Sequence, residues 1–170
     1  VEVKTIDQML DAVELFIKEN VVSGLKLKTP KGEYVEPNVF KGVLPFKHSL
    51  PDDKKELVPC ILVGMGKGRD NDDDGDINIK LTIVTFDSGF NDGESEVQDM
   101  NGYTDLLIVI QRLRASLLGS VDVGGLGEVQ RPYDFGMYEE QSYPFWYGYS
   151  MFGFEMDPIK PISSELENCL

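Results

Sequence analysis

The segment from Leu57 to Phe86 constrains the fold more than any other part of the chain. Leu57-Val58-Pro59-Cys60-Ile61-Leu62-Val63 is an apolar run, and Ile77 to Ile83 alternates apolar and polar residues without a break. A period of two gives a strand one buried and one wetter face. An acidic, glycine-rich stretch separates the two runs, so the pattern predicts a long antiparallel β-hairpin. A sheet with an apolar face must be covered, and helices supply that layer.

Two helices are written into the sequence. Ile6, Met9, Leu10, Val13, Phe16 and Ile17 recur at helical spacing and place one apolar stripe on a core. Thr5 followed by Gln8 has capping-box spacing, and Asp7 puts negative charge where the helix dipole favours it. The second helix is expected from Tyr103 to Leu118, with Leu106, Leu107, Ile110, Leu113, Leu117 and Leu118 on its apolar face. Gln111, Arg112 and Arg114 fall mainly on the other side, and Gly119 suits the C-terminal cap.

Elsewhere the pattern is more broken. Between Val21 and Lys55, Pro30, Gly32, Pro37, Gly42, Pro45 and Pro51 interrupt it, leaving Leu25 to Leu27 and Val39 to Val43 as short strands in a functional arm or binding loop. A loop from Asp87 to Met100 carries acids and glycines. After Gly124, Gly125 and Gly127, two more strands are expected at Val129 to Tyr138 and Phe145 to Met156. The tail 158–170 reads as an extended arm. No repeat or linker divides the 170 residues, so the expectation is one α+β domain, 1–170, with a mixed, mostly antiparallel sheet and two main helices packed on it.

Charge limits the partners. With 16 basic and 30 acidic residues the formal net charge is −14, which repels a polyanion and argues against duplex nucleic acid as a ligand. The same repulsion is useful where DNA must slide past. Apolar stretches are far shorter than a membrane-spanning helix, and no signal peptide is expected before the first helix. Cys60 and Cys169 form no CxxC or Cys/His cluster, so both are read as reduced thiols of an intracellular protein, Cys60 with a packing role.

Motifs that resemble catalytic or binding signatures are incomplete. Gly64-Met65-Gly66-Lys67-Gly68 lacks the third glycine of a dinucleotide fingerprint, since Arg69 stands there, and it lacks the Ser or Thr of a P-loop. The acids that follow would repel phosphate, and no cofactor is expected. Asp70, Asp72 and Asp74, with Gly75, match the first half of a calcium loop, and Asp76 adds a fourth carboxylate. Leu81 occupies the position of the bidentate Glu, and no helix flanks the loop. Weak calcium binding by those four aspartates is one reading; a solvated hairpin tip is the other. His48 is the single histidine and has no carboxylate or cysteine beside it, so the usual triads and metal centres are not expected and the chain is not read as an enzyme. Paired carboxylates remain an enzymatic alternative, although none of the 30 acids is singled out. The aromatic cluster Tyr143-Pro144-Phe145-Trp146-Tyr147-Gly148-Tyr149 suits a core or a subunit interface equally, with base or carbohydrate stacking a third use.

The element order, with the hairpin beginning at Val58-Pro59, the helix Tyr103 to Leu118, the Tyr-Pro-Phe-Trp-Tyr-Gly segment and an aromatic strand ending before Asp157-Pro158, resembles the tail terminator (tail completion) proteins of long-tailed bacteriophages and related contractile particles. The resemblance covers most of Val58 to Pro158, and the first helix fits it too. It implies a structural virion protein whose small α+β subunit forms a hexameric ring at the head-proximal end of the tail. Such a ring caps the tail tube, stops its polymerisation and offers a docking surface to the head or neck connector. It implies as partners further copies of the chain, the tube protein, a connector and, where the tail is contractile, a sheath, with DNA passing through the lumen and assembly in the host bacterial cytoplasm. The long hairpin bearing Asp70 departs from the shorter turns of that family. Other neck or minor tail components, and a calcium-binding interaction module, are the alternatives.

Overall fold

The computed structural model describes residues 4–44, 50, 52–87 and 101–159. The fold is α+β. Helix α1 (Ile6–Asn20) begins at a complete capping box: the Gln8 amide donates to Thr5 Oγ1 and the Thr5 amide donates to the Gln8 side chain. It buries Met9, Val13, Phe16 and Ile17, one stripe of its surface. Short strands β1 (Leu27–Lys28) and β2 (Tyr34–Val35) pair antiparallel. Strand β3 (Asn38–Lys41) follows, then a 3₁₀ helix at Asp52–Leu57.

Strands β4 (Cys60–Asp70) and β5 (Gly75–Phe86) form the expected hairpin, α2 spans Asn101–Gly119, and β6 (Gln130–Met137) and β7 (Phe145–Met156) close the chain. The five-stranded sheet has the order β3-β4-β5-β7-β6. It is antiparallel except for β3 beside β4. β5 and β7 pair without a break from Gly75↔Met156 to Phe86↔Phe145, a ladder about 40 Å long at about 3.3 Å per residue.

Both helices cover one face of this sheet. Ile61, Val63, Ile77, Ile79, Leu81, Ile83, Phe152 and Phe154 point into a core shared with α1 and α2. Among the described residues, the opposite face is covered at its proximal end, where Leu50 and Val58 pack with Leu62, Val84, Phe86 and Tyr147. The Leu50 amide donates to Tyr147 Oη at 3.4 Å, tying that cover to the sheet.

Several boundaries differ from the sequence expectation. The first hairpin strand starts at Cys60 rather than Leu57, because Leu57 ends the 3₁₀ helix and Pro59 has no amide to give a ladder. The stretch Gly64 to Asp70, read as part of the turn, is strand: it pairs with Gly75 to Lys80 through a register shift between Met65 and Gly68. Helix α2 buries Val109, whereas Leu107, assigned to the apolar face, is 43% exposed. The short strands fall at Leu27–Lys28 and Asn38–Lys41, and β2 had no counterpart in the reading. His48, Cys169, most of the loop 87–100 and the arm from 160 onward lie outside the described residues.

Candidate functional site

β3 accompanies only the first four residues of β4; past it the distal half of the hairpin continues with β7 beside β5 out to Gly75. Its tip is Asn71 to Asp74, closed by the Asn71 amide donating to the Asp74 carbonyl at 2.7 Å. Asn71 Nδ2 also donates to Asp74 Oδ1 at 2.7 Å, and Asp70 Oδ2 accepts from the Ile159 amide at 3.3 Å.

Those bonds explain what becomes of the four aspartates with calcium-loop spacing. Asp70 and Asp76 are ladder residues, opposite Gly75 and Arg69, while Asp72 and Asp74 belong to the turn. A calcium loop wraps its carboxylates inward around one point, which a ladder of alternating side chains prevents. Asp70, Asp72, Asp74 and Asp76 are not gathered into a ligand set, and among the described residues no group of three or more His, Cys, Asp or Glu side chains is placed to hold a metal ion.

Two clefts flank the distal end. One, about 400 Å³, lies on the face away from the helices and is polar, with Arg69, Asp76, Asn78, Arg131, Asp134 and Glu155 around it. The other, about 300 Å³, lies on the helix side and is apolar. Ile6, Met65, Ile77, Met156 and Ile159 line it, with Asp70 and Asp76 at its rim. Arg69 lines both.

A separate polar cluster sits at the N-terminal end of α2. Asp87, at the end of β5, is buried and pairs with Lys28 Nζ at 3.2 Å. Burial and the neighbouring Asp87 charge hold the Asp105 carboxyl above its usual value of 3.8. Thr85 Oγ1 donates to the Gly102 carbonyl at 2.6 Å, and the buried Trp146 Nε1 has no acceptor among the described residues. Neither cleft is lined by Asp87 or Asp105.

The raised value at Asp105 makes a prediction. Its ionised form is disfavoured in the fold, so the folded state carries a penalty at neutral pH that fades as pH falls through the folded pKa towards 3.8. Asp105→Asn should therefore raise the melting temperature at neutral pH, and the gain should vanish near the ordinary carboxylate value. An equal gain at both pH values would show that the charge is not its source.

The aromatic cluster divides between the two sides of the sheet. Trp146 packs on the helix side against Tyr103, and Tyr147 packs on the other side, while Tyr143 is exposed. Cys60 is a buried free thiol, pushed up to about 12 by burial, and Gly64 in the failed phosphate motif gives the end of β3 room, its Cβ position lying 2.9 Å from the Gly42 carbonyl oxygen. Among the described residues no helix is long and apolar enough to cross a membrane.

Sequence reasoning did not find the outer surface of α2. Leu107 and Ile108 are 43% and 42% exposed there, in line with Gln111, Ala115 and Leu118. Arg114 on its flank lies over the Phe135 ring of β6 at 5.4 Å, and Phe135 is itself exposed. The available signal was apolar residues on two sides of one helix. No protein-family model matches the chain, and no curated protein matches its sequence.

Proposed function

We propose that the chain is a structural subunit of a phage tail: a tail terminator that assembles with its own copies into a ring, caps the tail tube and receives the head or neck connector. The observation that carries the reading is the element order, a capped helix, a long hairpin, a second helix and a closing aromatic strand, with both helices on one face of a mostly antiparallel sheet. That arrangement agrees with what the resemblance implies. A net charge of −14, with several of its acids at the hairpin tip, supports it further, since a negative surface lets DNA pass without sticking.

The test is reconstitution with tube subunits. Added to polymerising tube protein, the chain should stop growth at one end, and electron microscopy of stalled tubes should show a ring there. A protein that binds no tube subunits and is absent from purified particles would sink the reading. Location elsewhere in the particle would instead make it a neck or minor tail component.

A further inference from the structure

The outer surface of α2 and the apolar cleft at the distal hairpin have matching chemistry. The α2 surface is a ridge in which Leu107, Ile108, Ala115 and Leu118 follow one another at helical spacing, flanked by Arg112 and Arg114. Arg112 donates to the Val21 carbonyl at 2.9 Å and Arg114 lies over Phe135, but neither has a carboxylate within ion-pair distance among the described residues. In a chain with nearly twice as many acids as bases, arginines left without carboxylates beside exposed leucine and isoleucine stand out.

The cleft has the opposite fringe. Its apolar lining includes Met65 and Ile159, which are 40% and 84% exposed, and its rim carries Asp70 and Asp76 beside a single base, Arg69, with the acids of the tip beyond them, so the fringe is acidic on balance. Asp72 and Asp73 have no basic partner among the described residues. Methionine on a rim adapts to the shape of what it meets.

We propose that the α2 ridge of one copy of the chain seats in the distal apolar cleft of a second copy, with Arg112 and Arg114 facing the aspartate-rich rim and tip. The ridge and the cleft are different surfaces of one molecule, so the contact is head to tail. Such a contact repeats and either closes into a ring or continues as a filament. The proposal deepens the self-assembly half of the function proposed above and rests on it.

The experiment uses two variants of the full chain, each damaged on one surface: Ile108→Glu on the ridge and Met65→Glu in the cleft. Both positions are exposed, so neither change should disturb folding, and thermal melting checks that. Solution mass is then measured for each alone and for the 1:1 mixture. The wild-type chain should associate, and each variant should weaken association by about 10- to 100-fold, the effect of placing a charge in an apolar contact. The mixture should form a pair of twice the 19.1 kDa chain mass and nothing larger, because one intact ridge meets one intact cleft.

A wild-type chain that stays monomeric at its highest soluble concentration overturns the proposal. So does a mixture that fails to pair, or a variant that keeps the wild-type mass. Loss of tube-subunit binding by Met65→Glu with chain mass unchanged gives the cleft to that partner, which also overturns it. None of the mass readouts needs tube protein, so a chain that pairs but does not cap tubes refutes only the assigned function.

Discussion

Phe152→Ala is expected to cost about 3–5 kcal/mol of folding stability, the range for deleting a fully buried aromatic side chain. Phe152 lies in the middle of β7, opposite Ile79, and is 1% exposed. Its ring stacks on Tyr133 at 5.5 Å and meets Phe154 edge-on at 5.7 Å, so truncation removes contacts on two sides at once. The surroundings cannot collapse into the gap, because Tyr133 belongs to β6 and Phe154 is held by the β5 ladder. For a chain of this size the change corresponds to about 2–4 °C of melting temperature per kcal/mol. A loss below about 1 kcal/mol would mean that β6 and β7 are not joined through this stack.

Gly102→Ala should cost about 1–3 kcal/mol by overpacking, although alanine is the better helix former. A Cβ there would lie 2.6 Å from Trp146 Nε1 and 2.9 Å from the Asp87 backbone nitrogen. The first neighbour is a ring held between Tyr103 and Tyr143, and the second is backbone, so neither gives way as the end of a flexible side chain would. Trp146 is the only tryptophan of the chain, so its fluorescence reports the displacement directly. Gly119→Ala is the control, since nothing lies within 4 Å of a Cβ at that position. Equal melting temperatures and unchanged emission for both variants would refute the steric argument.

Much of the framework was legible because local pattern and tertiary burial agree. The Thr5 and Gln8 capping box, the alternation from Ile77 to Ile83 and the strand Phe145–Met156 each carry their own signal, and the structure uses all three. The distal half of β4 was not legible. Gly66, Lys67 and Gly68 have weak strand preference of their own; Gly66 and Lys67 lie within the register shift, and the pairs Met65↔Ile79 and Gly68↔Ile77 on either side carry the strand through it. The Leu107 assignment failed for a different reason: helical periodicity identifies an apolar stripe but not where it ends, and the sheet reaches only as far round α2 as Leu106, Val109, Ile110, Leu113 and Leu117.

The candidate site was legible in composition and not in geometry. Aspartate spacing suggested a ligand loop, whereas Asp74 accepts from Asn71 within the turn and Asp70 accepts from the Ile159 amide beyond β7, so two of those carboxylates bond to the fold. The α2 ridge and the distal cleft depend on which residues a fold leaves uncovered. That is a property of the assembled molecule.

The short reach of β3 has a further consequence for solubility. Beyond Val63, β4 has no strand on its outer side among the described residues, and an open row of amides and carbonyls is a template on which other chains can aggregate. The register shift between Met65 and Gly68 twists that row, and Lys67 and Arg69 place charge along it. A flat strand from another molecule therefore finds no matching edge to extend, and the distal hairpin is left to be recognised by its side chains instead of its backbone.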